Sequence, residues 1–368
     1  MGSPAPRRRD DVNAVVAGLL RDLAFVQSSP QRTFGYKRAA NAVLWLERPL
    51  TELRLPDGTL TKIPGIGPAS SRVIREVLDT GSSATVELAV ERSGQADEVR
   101  QKRALRTHFL SRAEVVRILS DPAFGGPAPE QYLGDLQMHS EWSDGASTLD
   151  EIVEACLDRG YRFAAVTDHS YGLKIAGGMS MTAAAEQWRA IDRLNAQSGD
   201  RCRLIRGIEA NISSDGPLDL SADEAAQFEL VLAAPHSRLR KSEDQTSRLL
   251  TAIRTPQVHV LAHPRGRISG SRAGVVARWD EVFAEAAQRG VAIEIDGDPA
   301  RQDLDFTLAE QALAAGCLFA LDSDAHTTLQ LCYADIALAH ARLAGIPPDR
   351  IVNCWPTERL LAWLAART

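Results

Sequence analysis

The chain has 368 residues, 44% of them hydrophobic, and a net charge of −6, enough apolar content to bury a core in each of two domains. No apolar run approaches the roughly 18 residues of a membrane span, and residues 1–10 lack the apolar core of a secretion signal, so a cytoplasmic location is expected. Five cysteines, an odd number without Cys-x-x-Cys spacing, read as reduced thiols, with Cys156, Cys317 and Cys332 packing as small hydrophobes.

After a disordered stretch at 1–10, residues 11–26 and 33–47 read as two helices. Residues 61–78 (TKIPGIGPASSRVIREVL) follow. Gly65 and Gly67 permit a tight turn with exposed backbone N–H groups, Pro68 opens a helix at its first position, and Val73, Ile74 and Val77 give that helix an apolar face. The segment resembles a helix-hairpin-helix motif, which holds a phosphate on backbone amides and fixes position without reading bases. Lys62, Gly65, Gly67, Ser70 and Arg72 are its candidate DNA contacts. Residues 86–120, with RQKRALR at 100–106, predict one or two basic helices that would extend a footprint along a nucleic-acid backbone. Proline and glycine without periodicity at 121–129 (DPAFGGPAP) mark a linker. The expected division is therefore a helical domain at 11–120, a linker at 121–131 and a second domain at 132–368.

Charge is uneven between the parts. Residues 1–130 hold 19 Lys and Arg against 15 Asp and Glu, whereas the remainder holds 23 against 33. The small basic excess suits a modest, salt-sensitive polyanion contact, and the acidic remainder suits cations.

From 132 onward, apolar runs alternate with amphipathic stretches. The runs are 132–139, 163–169, 202–209, 228–236, 258–263, 291–296 and 317–324, and the helical stretches include 148–159, 181–197, 244–254, 279–288 and 304–314. Strand and helix alternating in this way predict a parallel α/β fold closed into a barrel, with the active site at the C-terminal strand ends. At or just beyond those ends fall His139, His169, Glu209, His236, His263, Asp324 and His326. One histidine ending a strand is usually structural, but five in equivalent places beside carboxylates form a ligand set for Zn, Mn or Fe. Two or three clustered divalent ions would lower the pKa of a bound water and neutralise phosphate oxygens. Arg265, Arg267 and Arg301 are candidate phosphate contacts, with Lys174 a weaker one. Asp168 and Glu294 read as carboxylates that orient the ligands.

Residues 135–145 (DLQMHSEWSDG) and 167–170 (TDHS) resemble motifs of the polymerase and histidinol phosphatase (PHP) family. So do, in the same order, 207–210 (GIEA), 234–237 (APHS), 262–264 (AHP) and 322–326 (DSDAH). The resemblance spans about 132–355 and is strongest to the PHP domain of bacterial family X DNA polymerases. It implies a distorted seven-stranded (β/α)7 barrel and a trinuclear phosphoesterase centre. Carried over, it makes His139 and Asp324 ligands of one ion, with Glu209 bridging to a second held by His236 and His263. Asp144, His169 and His326 would hold the third. The family usually begins with His-x-His, whereas here Gln137 takes the first place, a neutral ligand that implies a weakened or missing first ion.

Residues 11–78, with FGYKRAA at 34–40, are similar to the N-terminal DNA-binding domain of family X polymerases, although no polymerase domain fits between 85 and 131. Some family members carry a Schiff-base lysine where this chain has Val73, so lyase activity is not implied. Three functions are compatible with the whole. The first is a metal-dependent DNA phosphoesterase in repair, acting as a 3′–5′ exonuclease, 3′-phosphatase or abasic-site endonuclease. The others are a small-molecule phosphomonoesterase of the histidinol phosphatase type and a DNA-binding protein with a degraded metal site.

Overall fold

The computed structural model describes residues 11–367; residues 1–10, expected to be disordered, lie outside the described residues. The chain falls into two compact units. One runs to Phe124 and takes in Ser269–Ser271, and the other holds Gly125–Ile268 and Arg272 onward.

The first unit is helical: α1 (Val12–Phe25), α2 (Pro30–Leu44), α3 (Pro68–Thr80), α4 (Ala84–Ser93), α5 (Ala96–Ala104) and α6 (Arg112–Ser120). The Asp11 carboxylate caps α1 by accepting from the Ala14 amide at 3.0 Å. Pro68 begins α3 and Gly81, at φ 76°, ends it in the left-handed conformation that glycine adopts without strain. Val16, Leu20, Val43, Val73, Ile74 and Val86 share its buried core. The tract at 86–120 forms parts of three helices rather than one or two, because Gly94 ends α4 in a left-handed turn and a non-helical stretch separates α5 from α6. Its cations are also less available than the sequence suggests. Arg103 and Arg106 both bind buried Asp22, the former at 2.6 Å, and Arg103 reaches Glu87 as well.

The second unit contains seven parallel strands paired in sequence order. They are β1 (Gly134–Asp135), β2 (Phe163–Val166), β3 (Arg203–Asn211), β4 (Leu230–Ala234), β5 (Val260–Leu261), β6 (Ala292–Asp296) and β7 (Leu318–Asp322). Helices α7 (Leu149–Asp158), α8 (Met181–Ser198), α9 (Ala222–Ala225), α10 (Thr246–Ile253), α11 (Trp279–Arg289) and α12 (Phe306–Ala314) connect them in turn. After β7 come α13 (Ala334–Leu343) and α14 (Thr357–Ala365). This is the nearly closed (β/α)7 barrel expected, with strands buried on both faces.

Between β1 and β7, side chains supplement a backbone bridge of Met138 with Ala325 just beyond the strands. The Asp322 carboxylate accepts from the Leu136 amide at 2.7 Å, Asp135 accepts from the Ser323 amide, and Asn353 donates to the Gly134 and Leu321 carbonyls at 3.0 and 2.9 Å. Burial, with Asp322 alongside, pushes the Asp135 carboxyl up from its ordinary value. At the barrel's other end, Val352, Trp355, Leu360 and Leu364 pack with residues at the strand starts, among them Phe163, Leu230, Val260 and Ala292. The strand C-termini are thereby left for the site. The five cysteines are free. Cys156 and Cys317 are buried as expected, but Cys332 lies in a short 3-10 segment and is only half-buried.

Candidate metal centre

Strand order delivers the ligand set to one place. His139 follows β1, His169 follows β2, Glu209 lies in β3, His236 and His263 follow β4 and β5, and Asp324 and His326 follow β7. β1, β5 and β7 end before their apolar runs do, because the last residues leave the ladder. His263 and Asp324 do so with left-handed φ angles of 25° and 51°, conformations that side-chain-bearing residues adopt only under constraint. Asp144 comes from the loop after β1. A Cβ at Gly145 would lie 2.3 Å from the His139 carbonyl oxygen, so only glycine lets that loop fold back onto the histidine.

Buried Glu209 is the hub. Its Oε1 lies 2.8 Å from His263 Nε2 and 3.1 Å from His236 Nε2, while its Oε2 lies 3.2 Å from His139 Nε2 and 3.3 Å from His169 Nδ1. Asp324 Oδ1 meets His139 Nε2 at 3.0 Å. Asp144 Oδ1 sits 3.5 Å from both His169 Nε2 and His326 Nε2. The His139 ring stacks between those of His169 and His326, with centroids 4.4 Å apart on each side. Three overlapping groups result: His139, Asp144, His169 and His326; His169, Glu209 and His236; His139, Glu209 and Asp324.

Electrostatics agree with a cation-binding role. Burial works against ionisation of Glu209, yet the surrounding histidines hold its carboxyl well below the usual range. Burial also opposes charge on His139, but Asp324 and Glu209 carry its pKa well above the ordinary value. At His236 burial prevails and the pKa falls. Buried Nδ1 atoms of His139, His236 and His263 have no hydrogen-bond partner among the described residues. Imidazole nitrogens and ionised carboxylate oxygens that converge within 4.8 Å of one another in each group fit divalent ions of the Zn, Mn or Fe kind.

The remaining expected residues divide. Gln137 is fully buried, and its amide nitrogen faces Glu294, donating to Oε2 at 2.9 Å. Glu294 also accepts from the His263 amide at 2.5 Å, so it braces that ligand. Asp168 accepts from the Ser140 amide at 2.9 Å, the Ser143 hydroxyl and the Gln187 amide nitrogen, tying the loop after β1 to β2 and α8. Arg301 spans Asp296, at 3.3 Å, and Asp324. Arg265 lies 3.1 Å from Asp305 and is partly exposed. Arg267 departs from its expected role as a phosphate contact: it is buried, and its guanidinium is engaged by Asp305 and the Arg301 and Gln302 carbonyls. Its position under the 301–305 loop makes it a brace for Arg301. In the helical unit, Lys62, Gly67 and Arg72 are exposed, Gly65 is partly so, and Ser70 is buried within α3.

Sequence reasoning missed Arg248. This buried side chain donates to the Ser213, Ser237 and Ile212 carbonyls at 2.7, 2.9 and 2.6 Å, fastening the chain after β3 to the turn that carries His236. An arginine on an amphipathic helix gives no such signal in one sequence.

Comparison with known proteins accords with this geometry. The PHP domain family matches residues 135–296, and a helix-hairpin-helix domain family matches 11–83. "Probable phosphatase YcdX" of Escherichia coli K12 is 30% identical over 248 residues, covering 64% of this chain and 95% of that protein. This chain belongs to the PHP family. Family membership makes it a metal-dependent hydrolase of phosphoester bonds. "DNA polymerase/3′-5′ exonuclease PolX" of Bacillus subtilis is 35% identical to this PHP protein over 235 residues, 64% of the chain. The match spans only 41% of that relative's length. The solved histidinol phosphate phosphatase of Lactococcus lactis, described as complexed with zinc, histidinol and phosphate, superposes with a TM-score of 0.43 at 16% identity. It covers 57% of this chain and 94% of that one.

Proposed function

We propose that this protein hydrolyses DNA phosphoesters at strand ends or abasic sites, as a 3′–5′ exonuclease, 3′-phosphatase or abasic-site endonuclease in repair. The observation that carries the reading is the presence, in one chain, of a His, Asp and Glu cluster at the barrel mouth and a helix-hairpin-helix region at 11–83. The exposed turn at Gly65 to Gly67, with Lys62 and Arg72, would hold backbone phosphates and confer little sequence preference. Zn, Mn or Fe ions would sit in two or three places among His139, Asp144, His169, Glu209, His236, His263, Asp324 and His326, supplying Lewis acidity and an activated water.

The chain's own residues set up the reaction. Glu209 turns one oxygen toward His236 and His263 and the other toward His139 and His169, so it would serve two ions held by these histidines. Asp324 divides its oxygens between His139 and Arg301. Arg301 and Arg265 border the cluster and would balance phosphate charge, Arg301 by exchanging part of its contact with Asp324 for a phosphate oxygen. Asp168 and Glu294 keep the strand ends in place. No side-chain nucleophile is required.

A second reading, a small-molecule phosphomonoesterase, is favoured by the match across 95% of YcdX. The deciding experiment incubates the full chain, with Mn or Zn, with end-labelled 3′-recessed, 3′-phosphorylated and abasic DNA and with histidinol phosphate. Cleavage of DNA that weakens in Gly65→Val supports the DNA reading. Turnover of histidinol phosphate alone, indifferent to Gly65→Val, replaces it with the second. Inactivity on every substrate with substoichiometric metal points to a degraded centre.

A further inference from the structure

Two loops leaving the metal centre end in bare aliphatic tips. The loop after His169 is a closed excursion. It returns so tightly that the Met179 amide donates to the His169 carbonyl at 2.7 Å, and a Cβ at Gly178 would collide with the Ser170 carbonyl oxygen. Its tip is Lys174–Ala176, where Ile175 is 95% exposed. The loop after His326 is pinned by Gln330, whose side-chain oxygen accepts from the His326 amide at 2.7 Å, and at its tip Leu329 is 86% exposed.

Both loops lean on the segment that carries Asp144. Gly177 approaches Ser143, with a Cβ there 3.6 Å from the Ser143 carbonyl oxygen, and the Thr328 amide donates to the Ser147 hydroxyl at 3.2 Å. Ile175 and Leu329 therefore stand on two loops that both adjoin the segment carrying Asp144. On the same framework lie Trp142 and Tyr171, both partly exposed. One exposed aliphatic is ordinary on a protein surface. A pair on two pinned loops that both begin at histidines of the charged cluster and both adjoin the Asp144 segment is a placement that the loops' own packing does not use.

We propose that Ile175 and Leu329 form an apolar rim that receives the unpaired nucleobase next to the scissile phosphate of a nucleic-acid strand. The inference rests on the DNA reading above and names what the site grips besides phosphate. In a nucleic acid, the group one sugar away from the phosphate is a flat ring with two apolar faces, which aliphatic and aromatic side chains cover without regard to sequence. Lys174, beside Ile175, adds a cation at the same tip for a neighbouring phosphate.

The test measures KM and kcat of the full-length, metal-loaded protein on two oligonucleotides that differ only in whether the 3′-terminal sugar carries a base. Wild type, Ile175→Ser, Leu329→Ser and the conservative Ile175→Leu are compared. The expected result is a KM about tenfold higher for the base-bearing strand in each Ser variant, with kcat retained and Ile175→Leu near wild type. The baseless strand should show the same KM in all four proteins. Equal effects on both strands, or none on either, overturn the rim while the DNA reading stands. Wild-type protein that cleaves neither strand yet hydrolyses histidinol phosphate overturns both.

Discussion

The barrel mouth and the helical unit treat charge in opposite ways. At the mouth, charge is buried and concentrated: Glu209, His139, His263 and Asp324 are almost inaccessible, and each is held by another ligand. In the helical unit a backbone turn carries exposed Lys62 and Arg72, and two cations of the neighbouring basic tract, Arg103 and Arg106, bind Asp22. The difference teaches that net charge is a poor guide to where an anion binds. An acidic barrel can take phosphate through cations it holds, while a mildly basic helical unit spends part of its charge on its own fold.

The largest test of this contrast is Glu209→Gln. Removing charge from the hub should lower metal content and cut phosphoester hydrolysis by more than about a hundredfold, as loss of a bridging ligand exceeds loss of an orienting one. Circular dichroism should be unchanged, and retained turnover would remove Glu209 from the centre.

In the helical unit the corresponding buried charge is structural. Asp22→Asn leaves Arg106 and Arg103 without their carboxylate and should destabilise that unit by about 2–3 kcal/mol. Denaturant unfolding should report this loss while metal analysis of the same variant remains at the wild-type value. A matching drop in metal content would mean the two units are not energetically separate.

His259 tests the floor of the barrel rather than its mouth. Its Nδ1 accepts from the Val231 amide at 3.1 Å and its Nε2 pairs with the Leu364 carbonyl at 3.0 Å, joining β4 to α14. Burial lowers its pKa to about 4. A neutral imidazole required by the fold contributes stability above the unfolded value near 6.5 and loses it as pH falls toward 4. The loss should be on the order of 2–3 kcal/mol, seen as a falling unfolding midpoint. His259→Gln should flatten that dependence between pH 6.5 and 4, and an unaltered slope would assign it elsewhere.

The smallest effect belongs to the hairpin. Gly65 has φ 85°, and a side chain there would press against Ala42. Gly65→Val should weaken DNA binding about tenfold at low salt and reduce the salt dependence, with hydrolysis of a small phosphoester unchanged. Equal DNA affinity would leave docking to the barrel alone.

Much of the architecture was legible because it is written in local patterns. Alternating apolar runs and amphipathic stretches mark all seven strands and the helices after β1, β2, β4, β5 and β6, and five of the eight histidines stand at strand ends. Short elements escaped: α9 has four residues and too little periodicity to register, and α13 and α14 repeat no strand–helix rhythm. The arginines show the other limit. Arg265, Arg267 and Arg301 look alike in the sequence, but Arg267 is buried under a loop while Arg301 reaches Asp324.

By itself the sequence determined the kinds of ligand, their order and the alternation that brings strand ends to a common mouth, because these depend on side-chain chemistry and on periods of two and 3.6 residues. Only the tertiary structure decided which oxygen of Glu209 faces which histidine, that Gln137 meets Glu294, and that Asp135, Asp322 and Asn353 close the barrel seam. Those pairings join residues from 27 to 219 positions apart, and their distances follow from strand stagger and barrel closure, which no local pattern encodes.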